Sequence, residues 1–222
     1  MKTLATFKAA WQSTYLDEKE DAAQLFGIAI QALSKPQNPE NEYFEGNLNH
    51  LIPLHKHVLA ELAVERGEID EAKKLLDEAI QIQSDEVVDC LILRYRIGNE
   101  DEAYKKNTER LINQLIASTK QNMSNFMHVQ EQNEDYSTPF NQAAWLLANT
   151  DGDYELALNS AKKAVYFAPN NPNILDTLAH VYALGKEYDK AVETQKQVVR
   201  YSPHTVIFRN VLKKFEELRK TP

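Results

Sequence analysis

The 32 residues PNILDTLAHVYALGKEYDKAVETQKQVVRYSP, Pro172 to Pro203, decide the fold class. Wound as a helix, Leu175, Leu178, Ala179 and Tyr182 fall on one face, at the three- and four-residue spacing of an amphipathic helix. Gly185 then interrupts, Glu187 and Asp189 follow, and Ala191, Val192, Val198 and Val199 form a second apolar stripe that closes before Pro203. A glycine followed by carboxylates suits a helix end running into a fresh helix start. It offers left-handed geometry without a Cβ, then negative charge on the positive end of the next dipole. The stretch reads as two helices joined by a tight turn.

The preceding window repeats this plan. Phe140, Ala143, Ala144 and Leu147 share a face, Gly152 turns the chain, and Ala157, Ala161, Ala164 and Val165 continue to Pro169. Ala157 to Ala191 and Pro169 to Pro203 are both intervals of 34 residues. Gly67-Glu-Ile-Asp-Glu-Ala72 and Gly98-Asn-Glu-Asp-Glu-Ala103 carry the same punctuation further upstream.

Leu175, Leu178, Ala179, Tyr182, Tyr188, Ala191 and Pro203, with Ala143, Ala144, Leu147, Tyr154, Ala157, Ala164 and Pro169, resemble the tetratricopeptide repeat (TPR) pattern of large, small and aromatic residues. Gln195 departs from it, standing where the family places a large aromatic. Leu59, Ala60, Ala63, Ala72, Leu76 and Ala79 make a third copy. Val87, Cys90, Leu91, Leu111 and their neighbours make a fourth, although Val87 to Leu93 reads as a strand in isolation. Ala10, Ala22, Phe26, Ala29 and Ile30 suggest a degenerate first copy, five units in all. The resemblance implies an all-α fold: an α-solenoid of antiparallel helix pairs, a TPR-like superhelix. Its last apolar face is expected to lie under a C-terminal capping helix built from Val206, Phe208, Val211, Leu212, Phe215 and Leu218.

The spacing of Ala22, Ala72, Ala103, Ala157 and Ala191 locates two interruptions. The expected organisation is a helical pair over 1–36, an insertion over 37–52, two repeat units over 53–117, an inserted helix and loop over 118–138, two well-matched units over 139–205 and the cap over 206–220. The second insertion offers a boundary between sub-domains near residue 130. Met123, Phe126 and Met127 are expected to pack beneath that loop.

Composition sets the limits on function. Six glycines and eight prolines in 222 residues argue against an all-β chain, and a net charge of −8 provides no footprint for nucleic acid and no polybasic membrane patch. No apolar run is long enough to cross a bilayer, and no signal peptide is seen, so a cytoplasmic setting is expected. Dinucleotide, phosphate-loop, nucleophile-elbow and zinc-protease motifs are absent, which predicts no enzyme activity, no cofactor and no metal. His50, His55 and His57 do not converge on one helix face and read as solvent-facing. The single cysteine, Cys90, sits at a packing position and is expected to be buried and inert.

The function this leaves is a non-enzymatic scaffold for protein-protein interaction. The family resemblance implies a concave groove lined by the first helix of each unit. Stepping along those helices nominates His57 and Glu61, Ile92 and Arg96, Asn141 and Trp145, Asp176 and His180, then Arg209 and Lys213. The chaperone-binding members hold terminal carboxylates with lysine, asparagine and arginine, a set not found here, so a peptide of mixed or basic character is the expected partner. Two alternatives remain open: a regulatory or substrate-docking module of an enzyme system, and a self-assembling repeat protein, a homodimer for instance. Phe7, Trp11 and Tyr15 form an aromatic ridge that either pairs between chains or packs on Leu25, Phe26 and Ile30.

Overall fold

The computed structural model describes residues 2–35, 47–82, 84 and 86–220, with eleven α-helices and no strand among them. They are α1 (Lys2–Tyr15), α2 (Lys19–Leu33), α3 (Asn47–Glu65), α4 (Ile69–Ala79), α5 (Val87–Ile97), α6 (Glu102–Phe126), α7 (Thr138–Asn149), α8 (Tyr154–Phe167), α9 (Pro172–Leu184), α10 (Tyr188–Tyr201) and α11 (Val206–Lys220). Successive helices pack as hairpins, α1 on α2, α3 on α4, α7 on α8 and α9 on α10. This is the all-α, TPR-like helix-pair architecture. The strand-like run from Val87 to Leu93 lies in α5, where the apolar residues on several sides are buried by neighbouring helices. Residues 36–46, most of the first insertion, lie outside the described residues; α3 begins at Asn47.

Local signals set the helix ends. The Asp153 side chain accepts from the Leu156 amide at 2.7 Å, and Asn171 accepts from Asn173 and Ile174 ahead of Pro172. Gly67 takes the left-handed conformation its turn requires, with φ of +76°. At the turn before α10 that role falls to Lys186 instead, with φ of 59°. Gly185 is needed for another reason: a Cβ there would collide with the Tyr154 ring of the preceding hairpin.

The chain divides into two compact units, Met1–Thr108 and Glu109–Pro222. The division falls within α6 rather than near residue 130, because the 25-residue helix serves a different core at each end. Thr108 accepts from Arg94 of α5 at 3.3 Å, whereas Met123 packs with Phe140 and Phe167. Ala103 is exposed, unlike Ala22, Ala72, Ala157 and Ala191 of the same spacing series, and α6 buries Thr108, Ile112, Thr119 and Met123.

In unit 1, Ala10, Ala22, Phe26, Leu51 and Val58 form one core cluster, and Ala60, Ala72, Leu76 and Cys90 a second. Cys90 is fully buried, and desolvation pushes its thiol up to about 12. In unit 2, fully buried Ala144, Ala157 and Ala161 bring helix axes close together. Phe215 of α11 covers Ala179, Ala191 and Val192, which makes α11 the cap of this unit. The segment after α6 is held down: Phe126 stacks on Tyr136 at 4.9 Å, and Lys163 donates to the Val129 carbonyl at 3.1 Å. Met127 does not join this packing and is 52% exposed, because α6 has ended one residue earlier.

Candidate functional site

Of the nominated residues, Trp145, Asp176 and His180 of unit 2 meet one another; those of unit 1 do not. In unit 2 the first helices α7, α9 and α11 present three rings in series. Trp145 of α7 meets His180 of α9 edge to face at 4.9 Å, and His180 meets Phe215 of α11 at 5.1 Å. Trp145 and His180 are half-buried, so the ladder has an accessible side. Asn141, one turn before Trp145, is half-buried too, and its Oδ1 is enclosed.

Asp176, expected as a groove charge, lies instead in the interior at 8% exposure. Its carboxylate is 3.6 Å from His180 Nδ1 and accepts from Gln195 Nε2 at 2.7 Å. Burial raises the Asp176 carboxyl above its usual range, opposed by His180 and by the Gln195 hydrogen bond. The fully buried Gln195 also donates to the Phe208 carbonyl at 3.2 Å, so one amide joins α9, α10 and α11. Sequence reasoning singled out Gln195 only as a departure from the repeat. A glutamine at an aromatic core position was the signal that a buried polar partner exists. Arg209 bends back onto the Pro203 carbonyl, and Lys213 is exposed on α11.

The unit 1 residues scatter. Ile92 is a core residue at 3% exposure, not a surface position, since the α5 face that carries it packs inward. Arg96 is exposed and His57 half-buried. Glu61 faces Lys19 of α2 at 3.9 Å, and Glu65 takes the same ammonium at 2.6 Å. The three histidines diverge, and no group of metal-binding side chains is found among the described residues. His55 is not solvent-facing: it packs on Gly27 of α2, and burial lowers its pKa. No described helix is long and apolar enough to cross a membrane.

The sequence profile of the ChAPs (Chs5p-Arf1p-binding proteins) matches residues 13–201. The chain belongs to the ChAPs family. Among solved structures, this ChAPs member is similar to the TPR domain of P58(IPK), at 16% identity over 98% of this chain and 79% of that one, with a TM-score of 0.38. It is also similar to the assembly chaperone of RpL4, Acl4 (residues 1–338), at 13% identity over 98% of this chain and 87% of that one, again at 0.38. No curated protein sequence matches it. The ChAPs match runs from the end of α1 to the end of α10 and leaves most of α1 and the capping helix α11 outside.

Proposed function

We propose that this protein is a non-enzymatic protein-interaction scaffold that receives a partner segment across the first helices of unit 2. The observation that carries the reading is the ring ladder Trp145–His180–Phe215, which spans α7, α9 and α11 and leaves the tryptophan partly open. Half-buried tryptophan seated on a rigid neighbour is the kind of anchor that dominates binding energy. Family membership supports the same class, since the ChAPs are described as Chs5p-Arf1p-binding proteins, and proteins of those two kinds are the first partners to try. Buried Asp176 does not project charge into the groove, so the carboxylate that would favour a basic ligand is withdrawn, and half-buried Asn141 and His180 flank the ladder with polar groups; a segment of mixed character is the partner we expect.

Affinity capture with wild type and with the Trp145→Ala, His180→Ala double variant tests this, read by mass spectrometry. Proteins retained by the wild type are expected to be lost from the variant, with helical circular dichroism unchanged. Equal capture by both would remove the groove from the account.

A further inference from the structure

Unit 1 holds a cleft of about 370 Å³, lined by Phe7, Lys8 and Trp11 of α1, His50, Leu51 and Leu54 of α3, and Glu86 ahead of α5. Its volume falls near the lower end of the range for ligand sites, roughly 300–1,000 Å³. That is room for one or two large side chains. The walls are apolar: Phe7 and Trp11 lie one turn apart with ring centroids 6.3 Å from each other, and Leu51 forms a buried floor at 2% exposure. Trp11 is 36% exposed at the mouth although Phe7 packs inward on Phe26. The aromatic ridge of α1 is thus only partly used by its own core.

The two rims differ in charge. On the α5 side, Glu86 faces His50 Nδ1 at 3.9 Å, and Ser84 Oγ lies 3.3 Å from the same nitrogen, so these groups are engaged with one another. On the α1 side, Lys8 is exposed, and no ion pair is recorded for it among the described residues. An occupant that fills the apolar body meets one cation that pairs with none of the described residues.

We propose that this cleft is a second protein-docking site, which takes a segment of a partner protein carrying a bulky apolar side chain flanked by a carboxylate. The apolar side chain enters between Trp11 and Leu54, and the carboxylate faces Lys8. The site lies in unit 1, and its acidic-flanked occupant differs from the segment of mixed character expected in unit 2.

The test uses a Trp145→Phe background, in which Trp11 is the sole tryptophan of a chain that has two. The probe is a blocked 12-residue helix-forming peptide with leucine and phenylalanine on one face flanked by glutamates, run beside the same peptide with glutamines or lysines in their place. The acidic peptide is expected to shift Trp11 emission in a saturable way and to bind at least tenfold more tightly than the lysine form. Lys8→Glu should reverse that preference, and Lys8→Gln should erase it. Both variants are at an exposed position and should keep the wild-type circular dichroism. Equal binding of all three peptides, or no saturable shift with the acidic one up to millimolar concentration, overturns the proposal. A concentration-dependent dimer that Trp11→Ala abolishes also overturns it, because a second copy would then be the occupant. None of these readings depends on Trp145, so the failure of either site leaves the other standing.

Discussion

Arg94 in unit 1 and Gln195 in unit 2 are both buried polar side chains at repeat positions, and they solve the same problem in opposite ways. Arg94 is 2% exposed and reaches across three helices: it pairs with Asp77 of α4, donates from Nη2 to Asn107 Oδ1 of α6 at 3.2 Å, and lies 4.0 Å over the Tyr104 ring. Its counter-charge stays in water, since the Asp77 side chain is 53% exposed. Gln195 also ties three helices but is neutral, and the charge it meets, Asp176, is the buried one. A buried cation with a hydrated partner carries little desolvation cost on the partner's side. A buried carboxylate must be satisfied entirely by the interior. Unit 2 should therefore be the more sensitive of the two to losing its polar residue.

The sharpest way to break this contrast is Gln195→Ala, which strips the Asp176 carboxylate of its amide donor and opens a cavity between α9, α10 and α11. We expect a loss of about 3 kcal/mol in urea unfolding of the intact chain, with α11 the first element to lose amide-exchange protection. A loss under about 1 kcal/mol would mean the network does not hold the cap. Gly185→Ala comes next, at about 2 kcal/mol, because the Tyr154 ring sits against the glycine and its hydroxyl is held by Glu187. The penalty should shrink in a Tyr154→Leu background; if it does not, strain at the turn and not the ring contact is responsible. Arg94→Met should cost only about 1 kcal/mol, since the orphaned Asp77 is already hydrated. A larger loss than that of Gln195→Ala would invert the comparison.

The smallest effect is in pH dependence. The folded-state pKa of Asp176 is raised, so its favourable contribution is complete below the unfolded carboxylate value, near 4, and is lost as pH rises through the folded value. Asp176→Asn keeps an acceptor for Gln195 but cannot titrate. The melting temperature of the wild type relative to this variant should thus rise on going from pH 7 towards pH 4. A difference that stays flat would place the carboxylate in a more hydrated setting than its 8% exposure indicates.

How far the sequence could be read differs between the units for a physical reason. In unit 2 the alanines at 157 and 191 recur at the 34-residue family interval and those at 144 and 179 at 35 residues, and all four are fully buried. Trp145 and His180 were found by the same periodicity, and their rings do meet. Asp176 was misread because a four-residue step names a face of a helix but not the depth of what covers it, and the cover is Gln195 from another hairpin. In unit 1 the same step gave Ile92, which is core, and Glu61, which turns to Lys19. The copies there are degenerate, so the phase of each helix is set by its neighbours rather than by its own pattern.

Taken alone, the sequence determined the helix pairs, their turns, the cap and the absence of any familiar catalytic motif, because these follow from local spacing and from the chemistry of single residues. Tertiary structure alone decided where the units divide within α6, that Gly185 is required by a neighbouring tyrosine, that Asp176 is buried, and that a cleft opens beside Trp11. Each of these depends on side chains that lie far apart in the chain and meet only when one helix pair packs on the next, and no local periodicity encodes such a meeting.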